Sequence, residues 1–124
     1  MNPAAMKNRT KEFAKKIIGL CRELPNNREG RLIGNQLFNS GTSVAANYRA
    51  ACRGRSKAEF VAKLGIVLEE ADETLFWLEL IDEMSISGAS SVAFLMQECN
   101  EITAIMVTSI RTAKEGKSDR ESKP

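Results

Sequence analysis

Proline stands only at positions 3, 25 and 124 of this 124-residue chain, so nothing from Asn26 to Lys123 forbids long helices. The apolar residues follow that permission. They recur at three- and four-residue intervals and nowhere alternate over a useful length. Phe13, Ile17, Leu20, Cys21 and Leu24 form one stripe, stopped by Pro25 and the turn-like PNNREG. Ile33, Leu37, Val44, Tyr48 and Ala51 form a second, ended by Gly54. Ser56 and Glu59 have the spacing of a capping box, in which the serine oxygen accepts from the Glu59 amide and the glutamate returns to the serine amide. Behind it run Phe60, Leu64, Val67, Leu68, Ala71, Leu75 and Leu78, until SISGAS at 85–90 breaks the pattern. Val92, Leu95, Met96, Cys99, Ile102, Thr103, Met106 and Ile110 make the fourth stripe.

Four helices are therefore predicted, near 8–24, 28–53, 57–84 and 90–114. Short turns between long helices imply antiparallel neighbours, so the expected fold is all-α, an antiparallel up-and-down four-helix bundle occupying one domain, 1–114. The polar remainder, 115–124, is expected to be a disordered tail. No apolar run approaches the roughly 18 residues of a membrane span, and the start lacks an apolar signal core, which makes the cytoplasm the expected compartment and leaves no membrane partner.

Chemistry is constrained by what is missing. Histidine is absent, which removes the commonest general base and metal ligand. Cys21, Cys52 and Cys99 are odd in number, widely spaced and at apolar helical positions, as buried reduced thiols would be. Glu69, Glu70, Asp72 and Glu73 have no histidine to complete the Glu-x-x-His of a di-iron bundle. No glycine-rich phosphate loop occurs. The expectation is a protein without enzymatic activity, metal or cofactor.

The small net charge of +2 conceals a division along the chain. Residues 1–57 hold twelve Lys/Arg against three Asp/Glu, a balance of +9; residues 58–110 hold one against ten, a balance of −9. Such asymmetry points to nucleic-acid contact or to complementary assembly. On a helical projection, Arg28, Arg31, Asn35, Asn39, Thr42, Ala46, Arg49 and Arg53 lie opposite the second stripe, while Ser40, Gly41 and Ala51 provide small packing surface within it. On the third helix Ile66, Glu70, Glu73, Trp77, Leu80 and Met84 fall together, roughly 150° from the core direction. Apolar residues interleaved with acids on an outer face mark a partner surface.

Across Leu24 to Met84 the chain resembles the four-helix bundle proteins associated with the 23S ribosomal RNA intervening sequence. The resemblance rests on LP at Leu24 and Pro25, SGTSVAAN ending at Asn47, RSKAEF ending at Phe60, and EEADE from Glu69 to Glu73. Many members continue after the small-residue segment with an Asn-Ile-Ala-Glu-Gly-like run; here Asn47 is followed by Tyr48, Arg49, Ala50 and Ala51. The resemblance implies a homopentameric ring, as in the related accessory variability proteins of diversity-generating retroelements, basic barrels that engage nucleic acid.

Two functions fit these features. In the first, a noncatalytic oligomer binds RNA or DNA backbone through Lys15, Lys16, Arg22, Arg49, Arg53, Arg55 and Lys57, with Tyr48 as the sole nearby aromatic for stacking. In the second, the chain is a scaffold or protein-interaction module whose Arg49 and Arg53 meet Glu70 and Glu73 between subunits, alongside Ile66, Trp77, Leu80 and Met84.

Overall fold

The computed structural model describes residues 2–116, and among them the chain is all helix and connecting turn, without a strand. The expected tail lies outside the described residues, apart from Glu115, which ends the last helix, and Gly116, which caps it. The helices are α1, Pro3–Glu23; α2, Arg28–Cys52; α3, Lys57–Glu83; and α4, Ser91–Glu115. Each lies against its neighbours in the chain, and the short connections require successive helices to run antiparallel. The circuit closes through α1 and α4, the sparsest of the four seams.

α1 begins five residues earlier than the apolar stripe suggests. Asn2 accepts at Oδ1 from the amides of Ala4 (2.9 Å) and Ala5 (3.2 Å), and Pro3 occupies the first helical position, where its missing N–H costs nothing. The added turn carries Met6 into the core. Asn27 caps α2 by accepting from the Gly30 amide at 2.9 Å. Gly30 is required for its size, since a methyl there would overlap the Pro25 carbonyl oxygen of the turn.

Ser56 caps α3 as expected, accepting from Glu59 N–H at 3.1 Å, but the return bond differs: Glu59 Oε1 takes the amide of Arg55 (3.0 Å) instead of that of Ser56. α3 ends in a Schellman motif. Ser85 sits in the left-handed region at φ 52°, Ser85 N–H donates to Asp82 O, and Ile86 N–H donates to Ile81 O at 2.9 Å.

The four stripes converge on one core, with Phe13, Ile17, Leu37, Tyr48, Leu64, Leu78, Leu95 and Ile102 almost wholly buried. Cys99 is buried and donates across the α3–α4 seam to Ala71 O at 3.0 Å, whereas Cys21 and Cys52 are half-buried. All three are free thiols, and burial pushes Cys21 up to about 11 and Cys99 up to about 12. Between α1 and α2 the expected close approach is present. A methyl on Gly41 would lie 2.7 Å from Ile17 Cγ2, so the two backbones meet nearer than any side chain at 41 allows.

The sparse α1–α4 seam is clasped electrostatically. Arg9 Nε and Nη2 reach Glu98 at 2.7 and 2.8 Å, and Nη2 also meets Glu101. The hydrogen bonds from Arg9 hold the Glu98 carboxyl below its usual range against the opposing effect of burial. A carboxylate so depressed stabilises the fold above its unfolded value of about 4.3 and loses that contribution as pH falls through the folded value. The melting temperature is therefore expected to drop on acidification below about pH 4, and Glu98→Gln to flatten that drop. An unchanged acid limb in thermal melts of Glu98→Gln would show that this pair does not hold the seam.

Candidate nucleic-acid interface

The charge division along the chain becomes a division between layers. Among the described residues α1 and α2 carry most of the cations, and α3 carries most of the acids. Because α1 and α2 are antiparallel, the start of α1 lies beside the end of α2, and there Lys7 and Lys11 join Arg49 and Arg53 around a groove of about 530 Å³. Within each pair the cations are one helical turn apart, about 6 Å along the axis. Asn8, Thr42, Ala45 and Ala46 complete the lining, and the small side chains leave the groove open between its charged walls. Among the described residues no carboxylate forms an ion pair with any of these four cations.

The other cations predicted for a site are dispersed. Arg55 and Lys57 are exposed in and just after the turn that follows Arg53, at the same end of the bundle. Lys15 is paired to Glu12 at 3.0 Å, one turn away on the outside of α1. Lys16 turns to the α4 side, its Nζ 4.7 Å from the centre of the Phe94 ring. Arg22 is exposed in the last turn of α1, at the opposite end. Structure thus joins Arg49 and Arg53 to Lys7 and Lys11, which the sequence reading omitted. The Asn2-Pro3 start signal would have placed Lys7 inside α1, four residues before Lys11 on the same face.

The aromatic assignment also changes. Tyr48 has no exposed surface; burial, with neighbouring Cys52, raises its hydroxyl well above the ordinary tyrosine value. Phe38 instead is 42% exposed and lines a second depression, with Leu24, Pro25 and Arg31, toward the other end of the α1–α2 seam. It is one turn from Thr42, whose Oγ1 donates to Phe38 O at 2.8 Å, so the two depressions share one edge of α2.

On α3, Ile66, Glu73 and Met84 are exposed, whereas Glu70, Trp77 and Leu80 are half-buried. Trp77 packs partly on the core, which makes this face narrower than its sequence pattern predicts. Its indole N–H donates to Glu73 Oε2 at 3.4 Å, and Phe76, 49% exposed, meets it edge to face at 4.9 Å. Desolvation, then Glu73 and Glu69, push the Glu70 carboxyl above its usual range. Within one chain none of these acids pairs with Arg49 or Arg53 among the described residues.

Among the described residues no three Cys, Asp or Glu side chains come together as a metal site, and no helix is long and apolar enough to cross a membrane. None of the curated proteins matches the chain. Among solved structures, a protein of unknown function from the S23 ribosomal protein family of Bacteroides thetaiotaomicron VPI-5482 superposes with a TM-score of 0.82 at 33% identity, covering 90% of this chain and all of that one. Residues 4–108 match the family described as 23S rRNA-intervening sequence protein, a span that holds the first three apolar stripes, the fourth as far as Met106, and the basic groove. By that match and by the shared four-helix fold, the chain belongs to the 23S rRNA-intervening sequence protein family.

Proposed function

We propose that this chain is a noncatalytic binding protein that engages the phosphate backbone of RNA or DNA through the basic face of α1 and α2. The observation that carries the reading is the groove between Lys7, Lys11, Arg49 and Arg53, four cations that have no carboxylate partner among the described residues. Cations one turn apart on facing helices suit a run of phosphates, and such contacts release counterions without reading sequence. A mobility assay of labelled structured RNA across a salt series tests it. Binding should weaken with a log–log slope of roughly −3 to −4 per chain if all four cations are engaged. Absence of binding even at low salt would sink the reading.

A second property is favoured by a separate observation, the exposed Ile66, Phe76 and Met84 beside Trp77 on α3. We propose that this face meets another copy of the chain; the family resemblance suggests five copies in a ring. In the scaffold alternative, Arg49 and Arg53 pair with Glu70 and Glu73 of a neighbouring copy, which would relieve the uncompensated acids of α3. The two arrangements separate in light scattering. If the arginines are interfacial, Arg49→Glu lowers the assembled mass; if they face solvent, the mass is unchanged and only nucleic-acid binding falls. Ile66→Glu with Phe76→Glu should lower the mass in either arrangement, and an unaltered mass would remove α3 from the interface.

A further inference from the structure

We infer that the α1–α2 groove is built for single-stranded nucleic acid, with Phe38 as a platform on which a base stacks while Arg49, Arg53, Lys7 and Lys11 hold the phosphates that follow. The inference rests on the proposed phosphate-binding reading and specifies the form of the ligand. Duplex binding would need only the cations. What they do not account for is Phe38, a large aromatic that keeps 42% of its surface exposed in a depression between α1 and α2, whereas Leu32, the other exposed large apolar residue of α2, lines neither depression. It is neither isolated nor randomly placed. Phe38 lines the depression at one end of the groove, and Thr42, one turn on, lines the depression at the other.

From Phe38 to Arg53 the helix advances about 22 Å, the length of a few extended nucleotides. Along that edge come an exposed ring, then Thr42 and Ala45, then Arg49 and Arg53 with the two lysines of α1 opposite. Small side chains in the middle let a strand lie close to the backbone of α2. Arg31, beside Phe38 in the same depression, is held by a hydrogen bond from Nη1 to Asn26 Oδ1 at 3.2 Å, which leaves a cation at the stacking end as well. A ring with charged groups spaced along one direction is the arrangement by which sequence-tolerant single-strand binders work, because every base has a face to stack and every nucleotide a phosphate. A paired base, enclosed in its helix, has no free face to offer Phe38.

The test uses the full chain, with fluorescence anisotropy of labelled oligo(dT) and oligo(U) of about 12 nucleotides and of a mixed-sequence duplex of the same length. Both single strands serve as arms because the stacking and phosphate chemistry is common to RNA and DNA. Wild-type protein is expected to bind at least one single strand more tightly than the duplex. Phe38→Ala should weaken single-strand binding about tenfold or more, leave duplex binding within about twofold, and leave the helical circular dichroism unchanged, since the ring is exposed. Phe38→Trp should restore or strengthen single-strand binding. Equal single-strand affinity for Phe38→Ala and wild type, or tighter binding of the duplex, overturns the stacking inference while the phosphate-binding reading stands. No binding of any of the three probes at low salt overturns both.

Discussion

Replacing Arg49 and Arg53 together by glutamate is expected to weaken nucleic-acid binding about a hundredfold or more near 0.1 M salt. The magnitude follows from counterion release. Each phosphate contact contributes a log–log salt slope of roughly −0.9 on duplex and −0.7 on single strands, which near 0.1 M amounts to about eightfold and fivefold per cation. Losing two cations therefore costs about 25- to 60-fold, and two carboxylates aimed at the backbone add repulsion. The neutral pair Arg49→Gln and Arg53→Gln isolates the first effect and should reduce the slope by about 1.4 to 1.8. Arg22→Gln, at the opposite end of the bundle from these four cations and next to the Phe38 depression, removes a single charge and should weaken binding by no more than about fivefold to eightfold. A loss no larger for the α2 pair than for Arg22 would mean that the groove is not the binding surface. The fold should survive, because both arginines are exposed and make no ion pair among the described residues.

A large effect on stability is expected at Gly41, where α1 and α2 meet. A methyl there would lie 2.7, 2.9 and 3.1 Å from Cγ2, Cγ1 and Cβ of Ile17, which is itself fully buried. Those atoms cannot swing clear, since a β-branched side chain in a helix has one strongly preferred χ1. Alanine gains about 0.5–1 kcal/mol in helix propensity over glycine, but overpacking costs about 1–3 kcal/mol and prevails. Gly41→Val, larger and β-branched itself, should cost about 3 kcal/mol or more. Ile17→Ala alone should cost about 2–5 kcal/mol through the cavity it leaves. In the double variant Gly41→Ala with Ile17→Ala the new methyl enters that cavity, so the energies should fall short of additivity by about 1 kcal/mol or more. Denaturant unfolding of the four proteins measures the cycle. Strict additivity would show that α1 and α2 do not approach as closely at this point as the structure places them.

Both predictions turn on the α1–α2 seam, and the acid-limb prediction on the α1–α4 seam. The contrast is physical. Where α1 meets α2 the contact is close and made by a glycine against an isoleucine; where α1 meets α4 it is sparse and held by Arg9 between Glu98 and Glu101.

The number of helices, their approximate ends and most of the core were legible in the residues themselves, because each follows from a local rule. Proline spacing permits the helices, apolar period defines the buried stripe, and Asn27 and Ser56 supply caps visible within a few residues of chain. Even the missed start of α1 was written locally, in Asn2 and Pro3. The candidate site was not legible in the same way. Arg49 and Arg53 stood out as one turn of α2, but their partners Lys7 and Lys11 lie some forty residues earlier, and only the antiparallel packing of α1 on α2 brings the four together. Lys15 and Lys16 are adjacent in sequence and separate in space, one paired to Glu12 and the other carried round to Phe94, because successive helical residues point about 100° apart. Tyr48 is covered, as its place in the second apolar stripe requires and against its assignment as a stacking residue, whereas the depression that Phe38 lines exists only where α1 packs on α2.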